Sequence, residues 1–299
     1  MQTAVVLNAA KTRVPTMAVP WPAIGVLMFG LAMLYSVGFS TFARTHNAAH
    51  DTRHANGFPV TEAVVSQFRK LMLAVFGSGA LAGLAVFSVQ HFTVIPLIQV
   101  AETYEAAQSG ATHEGGGWQP TEGWERTSFT ALTTILTGIG FAAMLFGVMA
   151  LAGETINTRR GAVWGLAAFA CFSLAPAFGL PPQPPGVADA DLHQRQLWWA
   201  GTVIATAIGV WFIAGKKRSW LLRICGVVCL LLPHVIGAPV ATGENSVPDQ
   251  LVRRFAIASV ATSAIFWLLA GALGGFIYSR NYADSLDSQN YLRSRVMKG

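Results

Sequence analysis

The chain has 299 residues, of which 53% are hydrophobic and only 11% are charged. The charged fraction is about half that of a soluble globular domain, which excludes an ordinary cytosolic enzyme. The apolar residues form runs of about 18 to 26 residues, long enough to cross a bilayer as helices. The net charge of +6 comes from Lys and Arg near the ends of these runs, so nucleic acid is not an expected partner.

Seven runs are predicted to be transmembrane helices, and the predicted fold class is all-α, a polytopic transmembrane helical bundle. They cover residues 18–42, 71–97, 129–152, 162–180, 197–215, 219–237 and 255–278. The first run is too long for the core of a signal peptide and is interpreted as a retained span.

Small residues inside the runs predict close contacts between helices, because they let two backbones approach. These residues are Gly77, Ser78, Gly79, Gly83, Gly138, Gly140, Gly271, Gly274 and Gly275.

The distribution of positive charge predicts the orientation of the chain. Of the 20 Lys and Arg residues, thirteen lie on one side of the predicted spans, six lie on the other, and Arg223 lies within a span. The expected location is the inner (plasma) membrane. The positive-inside rule predicts that the N-terminus lies outside the cell and the C-terminus lies in the cytoplasm.

The predicted outer loop at residues 98–128 is acidic. It contains one basic residue, Arg126, and should attract cations. Its acidic residues are Glu102, Glu105, Glu114, Glu122 and Glu125.

A histidine cluster follows the first predicted span. His46, His50 and His54 are spaced four residues apart, so on a helix they would lie within about 80° of one another. Neutral imidazole is a common ligand for transition metals, and Asp51 could add a carboxylate or orient a ring. The alternative is an exposed helix end whose histidines are only solvated.

A second polar group surrounds the outer end of the second predicted span. His91 lies beside Gln90 within this apolar helix, and an ionisable residue at such a place indicates function by default. Glu102 and Glu105 share a helical face if the helix continues, bent, past Pro96. His91, Glu102 and Glu105 are candidate metal ligands. The alternative is a neutral His91 satisfied by a neighbouring helix, with both glutamates simply exposed to water.

A proline-rich segment, GLPPQPPG at residues 179–186, cannot be helical. Asp189 or Asp191 could cap the helix that follows, and Trp198 with Trp199 suits the membrane interface. The alternative is a cation site that uses the two aspartates or His193.

Cys225 and Cys229 lie four residues apart on a predicted helix, and His234 follows them. The spacing permits a soft metal site, although small cysteines in apolar helices are commonly packing residues. The sequence contains no Walker loop, G-x-S-x-G elbow or H-E-x-x-H helix, so it is not expected to be an enzyme.

The N-terminal part resembles the small CbtB proteins, a single membrane helix with a short histidine-containing tail. The resemblance is carried by the first span and HNAAHDTRHANGFPV, which begins at His46. CbtB-like tails typically continue with a further ligand after Phe58–Pro59, whereas Val60 and Thr61 follow here.

The remainder resembles CbtA, the larger multi-span partner. The resemblance is carried by FRKLMLAVFGSGALAGLAVFSVQHFTVIPLIQVAETYE, WQPTEGWER and FSLAPAFGLPPQPPGVADADLHQRQLWW. It implies a natural fusion, with residues 1–62 as the CbtB-like part, contributing one span, and residues 63–299 as the CbtA-like part, contributing six. The family pattern marks His50, Asp51, Arg53, His54, Gln90, His91, Pro96, Glu102, Glu105, Trp118, Pro120, Arg126, Pro181, Pro182, Pro184, Asp191, Arg195, Trp198 and Trp199.

The resemblance implies a predicted cobalt transporter linked to cobalamin synthesis. The expected function is uptake of a divalent transition-metal cation, cobalt first, with nickel and zinc left open because ligand type does not separate them. No tightly bound cofactor is expected. The expected partners are the bilayer and the ion, and a homo-oligomer or an energising partner is left open.

Two other functions remain open at this point. One is a membrane metal-binding accessory or sensor protein that does not itself translocate the ion. The other is a membrane redox protein that holds haem between His91 and His234, for which facing histidines at similar depth would be needed.

Overall fold

The computed structural model describes residues 62–109, 120–215, 218–243 and 245–296, with side chains over 69–107, 120–215, 218–243 and 245–281. The predicted first span and the candidate ligands His46, His50, Asp51 and His54 lie outside the described residues.

The described residues form helices and contain no strand. In chain order the helices are α1 Glu62–Thr93, α2 Ile95–Ser109, α3 Trp124–Leu151, α4 Thr158–Ala177, α5 Leu192–Ala214, α6 Trp220–Ile236 and α7 Asp249–Val296.

Five of these helices contain segments long and apolar enough to cross a membrane. The segments are Arg69–Thr93, Trp124–Leu151, Thr158–Ala177, Leu192–Ala214 and Asp249–Asn281. Helix α6 is a shorter apolar helix of 17 residues, about 26 Å long at 1.5 Å per residue. The prediction of an all-α membrane bundle is confirmed, and the six predicted spans after the first fall on these helices.

The helices other than α2 alternate in direction along the chain. We call the end of the bundle where α1 finishes and α2 follows the α2 end. Helix α3 starts there, α4 finishes there, and the connections from α4 to α5 and from α6 to α7 lie there. Hydrogen bonds between these two connections confirm the arrangement, because Ser246 donates its amide to the carbonyl of Gly186 at 3.0 Å.

The closest helix contact joins α4 and α7. Gly161 and Gly165 of α4 face Gly271 and Gly275 of α7 so closely that a Cβ on Gly161 would collide with the carbonyl oxygen of Gly271. Small residues at a helix interface permit this approach in lipid, where packing replaces the hydrophobic effect as the driving force. Trp267, fully buried, lies one turn from Gly271 on the same helix.

Two further glycine contacts join neighbouring helices. Gly79 and Gly83 of α1 face the backbone of α3 around Gly138. Gly209 of α5 faces Gly226 of α6, where a Cβ would lie 2.7 Å from the carbonyl oxygen. The predicted close contacts are confirmed at most of the glycines, but Gly140 has no atom within 4 Å of a would-be Cβ.

Helix α4 is not a regular α-helix throughout. Residues Ala170–Leu174 form a π-helical turn, and the helix then finishes with Ala175–Ala177. Pro176, which has no N–H to donate to the preceding turn, lies directly after this irregularity. Single π turns of this kind are frequent at functional sites.

The glycine contact between α4 and α7 predicts a specific loss of stability. Gly271→Val should lower the free energy of unfolding by about 1–3 kcal/mol, because the new side chain meets the backbone of α4. Gly140→Val is the matched control, since it introduces the same side chain into a helix where nothing lies within 4 Å. Thermal unfolding in detergent micelles measures both, and equal losses would contradict the assignment.

Candidate functional site

The helix is interrupted between α1 and α2, close to Pro96, where a bend was predicted from the sequence. Val94 separates the two helices, and Pro96 lies in the first turn of α2, where a missing N–H is tolerated. Hydrogen bonds continue across the break, from the amide of Val94 to the carbonyl of Gln90 at 2.9 Å and from that of Ile98 to Val94 at 3.1 Å. His91 and Glu102 therefore lie on consecutive helices.

Glu102 is held by Arg126, which lies in the first turn of α3. The guanidinium donates to both carboxylate oxygens of Glu102, at 2.5 and 3.0 Å, and also to Glu122 at 2.7 Å. A bidentate pair of this kind is strong and directional. The pair joins α2 to α3 at the α2 end of the bundle.

The pairing of Arg126 changes the interpretation of the acidic loop. In the sequence, Arg126 is a single basic residue against five glutamates. In the structure, its guanidinium pairs with two of them, Glu102 and Glu122. The Glu122 partner could be found from the spacing of four residues on a helix. The Glu102 partner is 24 residues away and has no local signal.

Glu105 is half-buried on α2, next to the proline-rich connection between α4 and α5. A Cβ on Gly186 would lie 3.3 Å from the Cβ of Glu105. Gly186 has a φ of 79°, a conformation that favours glycine. Glu105 therefore lies at the α2 end, beside the predicted non-helical segment.

His91 lies in the last turn of α1, between two aromatic rings. Its imidazole is 5.8 Å from the ring of Phe87 and 5.1 Å from that of Phe92. Its Nδ1 is buried and has no hydrogen-bond partner among the described residues. Buried polar atoms are normally paired, so this nitrogen is unusual.

Within the described residues, no three His, Cys, Asp or Glu side chains are grouped closely enough to hold a metal ion. The structure does not gather His91, Glu102 and Glu105 into one such group. The remaining predicted ligands, His46, His50, Asp51 and His54, fall outside the described part of the chain.

The proline-rich connection is fixed by hydrogen bonds. Asp191 caps α5 by accepting from the amide of Gln194 at 3.0 Å, as predicted, and Asp189 pairs with Arg195 at 2.6 Å. Ala188 donates to Asn245 at 3.0 Å. These contacts give both aspartates structural roles at the start of α5.

At the α2 end, α5 and α6 share an aromatic contact around His234. Its ring is 6.0 Å from Trp198 and 6.2 Å from Phe178, while Trp198 donates to the carbonyl of Pro233 at 3.3 Å. His234 and His91 thus have different aromatic neighbours. Cys225, on the same helix as His234, is exposed.

Two open cavities lie between the helices, towards the α2 end. Their volumes are about 380 and 310 Å³. The two cavities adjoin, because five residues line both of them. These residues are Phe172, Ser173, Trp199, Ser259 and Ser263. These cavities could not be predicted from the sequence, because single Ser and Thr residues are common in membrane helices.

Comparison with protein-family models divides the chain into the same two parts as the resemblance in the sequence. The family model described as "Probable cobalt transporter subunit (CbtA)" matches residues 68–279, and that described as "Probable cobalt transporter subunit (CbtB)" matches residues 12–59. Neither a search of curated proteins nor a search of solved structures gives a match. The first match covers nearly all of the five segments long enough to cross a membrane, together with the shorter apolar helix α6, and it confirms the resemblance. The chain therefore belongs to the CbtA family of probable cobalt transporter subunits, with a CbtB-like segment fused in front.

Proposed function

We propose that the chain takes up a divalent transition-metal cation across the inner (plasma) membrane. Cobalt is the first candidate, nickel and zinc are the alternatives, and the uptake serves cobalamin synthesis. The observation that carries the proposal is the CbtA match over residues 68–279, which covers most of the described bundle. The six apolar helices supply the membrane span that a permease needs.

The proposed orientation places the α2 end outside the cell. The opposite end carries more positive charge, as cytoplasmic loops do. Its described basic residues are Arg69, Lys70, Arg159, Arg160, Arg218 and Arg280. The C-terminus is then cytoplasmic, and the N-terminus lies outside if residues 18–42 form one span.

The proposed ligands act in two places. Glu102 and Glu105 gather cations at the outer rim, and His91 lies next along α1. The histidines at 46, 50 and 54, with Asp51, would receive the ion on the cytoplasmic side, in the CbtB-like part at residues 1–62, while residues 63–299 form the permease. These ligand types suit cobalt, nickel and zinc alike.

Glu102 can meet an incoming cation only by exchanging its partner Arg126. The side chain of Glu102 is 37% exposed, so it borders water. Arg126 keeps a second carboxylate, Glu122, when Glu102 leaves it. The exchange therefore leaves no unpaired guanidinium at the rim, which lowers its cost.

The energy source belongs to the proposal as well. The family descriptions call both parts transporter subunits, which favours a complex with further copies or an energising partner. The same wording favours a second candidate, an accessory protein that binds the ion and does not translocate it.

Cobalt uptake by proteoliposomes tests the proposal directly. Vesicles that hold the purified full chain should accumulate radioactive cobalt above protein-free vesicles, with nickel and zinc as competitors. Imposed proton and voltage gradients identify the coupling. Tight cobalt binding without accumulation under any gradient would favour the accessory candidate.

Glu102→Gln should raise the cobalt concentration for half-maximal uptake about tenfold, because a charged contact to the ion is lost. Glu114→Gln is the control, since it removes one carboxylate from the same predicted acidic loop, residues 98–128. Initial uptake rates over a cobalt series measure both. Equal effects would indicate that only the general acidity of the rim matters.

The histidine tail gives a separate prediction. His50→Ala combined with His54→Ala should lower cobalt accumulation in cells at least about tenfold without lowering protein abundance, because two ligands are removed. His193→Ala, at an exposed position near the start of α5, is the control. Accumulation at the wild-type level in the double variant would remove the tail from the mechanism.

A further inference from the structure

The lining of the two adjoining cavities is mainly apolar, but four helices contribute uncharged polar side chains to it. Gln90 comes from α1, Thr137 from α3, Ser173 from α4 and Ser259 with Ser263 from α7. Polar groups at membrane depth are costly unless they pair with one another or meet water. Ser173 and Ser263 pair through their hydroxyls at 2.6 Å. These hydroxyl and amide groups are spaced among aromatic and aliphatic side chains along the cavities.

The cavities extend from the α2 end to the middle of the bundle. Gln183 and Arg195, which line the first cavity, belong to the connection and the first turn of α5. Thr137, which lines the second cavity, lies at the midpoint of the 28-residue helix α3. Together they form one continuous space over the outer half of the proposed span, with polar groups at several depths.

An aromatic layer closes the inner side of this space. Phe141 lies one turn deeper than Thr137 along α3, and Trp267 lies one turn deeper than Ser263 along α7. Their ring centroids are 5.2 Å apart, and Phe172 stacks on Trp267 at 5.6 Å. Beyond this layer the side chains of Phe146 and Met149 are fully buried. The space is therefore open towards the α2 end and blocked towards the other end.

The charges at the α2 end of the first cavity are balanced. Among the described residues that line the two cavities, Arg195 is the one ionisable side chain, and it pairs with Asp189 at 2.6 Å. The lining contains no imidazole, thiolate or carboxylate. A dehydrated transition-metal ion would find none of its preferred ligands here.

We propose that the two cavities form a water-filled vestibule through which the divalent cation passes with its water shell, contacting the hydroxyl and amide side chains, up to the aromatic layer. The proposal rests on the uptake function and adds where the ion travels and in what form. Weak, multiple oxygen contacts suit a path, because a transported ion must leave as readily as it enters. The aromatic layer then acts as a hydrophobic constriction that gates the path.

Water access tests the vestibule directly. Thr137→Cys in the full chain, reconstituted in vesicles, should react with a membrane-impermeant cationic methanethiosulfonate at least about tenfold faster than Leu136→Cys, because the reacting thiolate forms in water. Leu136 is the neighbouring residue on α3 and is 58% exposed on the bundle surface, where lipid would lie. Site-resolved mass spectrometry separates these products from the native cysteines.

A second pair of variants keeps the vestibule testable if the Thr137→Cys chain does not fold. Ser259→Cys should react faster than Ile257→Cys, which lies two residues earlier on α7 and is 65% exposed. Equal reaction rates within both pairs would overturn the vestibule.

Cobalt uptake after modification separates this inference from the proposed function. Modified Thr137→Cys should transport cobalt at least about tenfold more slowly than before modification, because the bulky cationic group blocks the path, while modified Leu136→Cys keeps its rate. If the wild-type chain transports cobalt but modified Thr137→Cys is unaffected, the vestibule is wrong and the transport function stands. If the wild-type chain transports nothing, both fall, even where the thiols react.

Discussion

The backbone contact between α4 and α7 is the constraint on which the bundle depends. In a membrane, lipid is as apolar as the helices, so association has to come from packing and hydrogen bonds. Here the absence of a Cβ on Gly161 and Gly271 lets two backbones touch. Helix α7 also contacts α3, α2 and the π turn of α4. Ser173 and Ser263, which pair at 2.6 Å, lie on these same two helices.

Much of the fold could be predicted because its signals are local. A run of apolar residues defines a span without reference to the rest of the chain, and the prolines at 181–185 exclude a helix wherever they lie. The cap at Asp191 and the break before Pro96 have similar local causes. Close helix approach was predicted at Gly271 and Gly140 alike, but only the first has a partner helix, because the facing helix decides what a glycine contacts.

The site was less predictable because it depends on residues far apart in sequence. The partner of Arg126 on α2, and the meeting of Ser173 with Ser263, 90 residues later, appear only when the helices assemble. Histidine and carboxylate attract attention in any membrane sequence, whereas serine and threonine do not. The polar interior of the described bundle nevertheless consists mainly of hydroxyls.

The π turn of α4 sets the rotational register of that helix. Gly161 faces α7, and in a regular helix Ser173, twelve residues later, would point about 120° away from it. The wider turn at Ala170–Leu174 accommodates one extra residue, which returns Ser173 to within about 20° of the glycine face. One side of α4 can thus present glycine to α7 at one end and a hydroxyl at the other. A family member that lacks one residue before the serine in this turn would have a regular helix with the serine eleven residues after the glycine, again within about 20° of the glycine face, and would keep both the serine pair and the glycine contact.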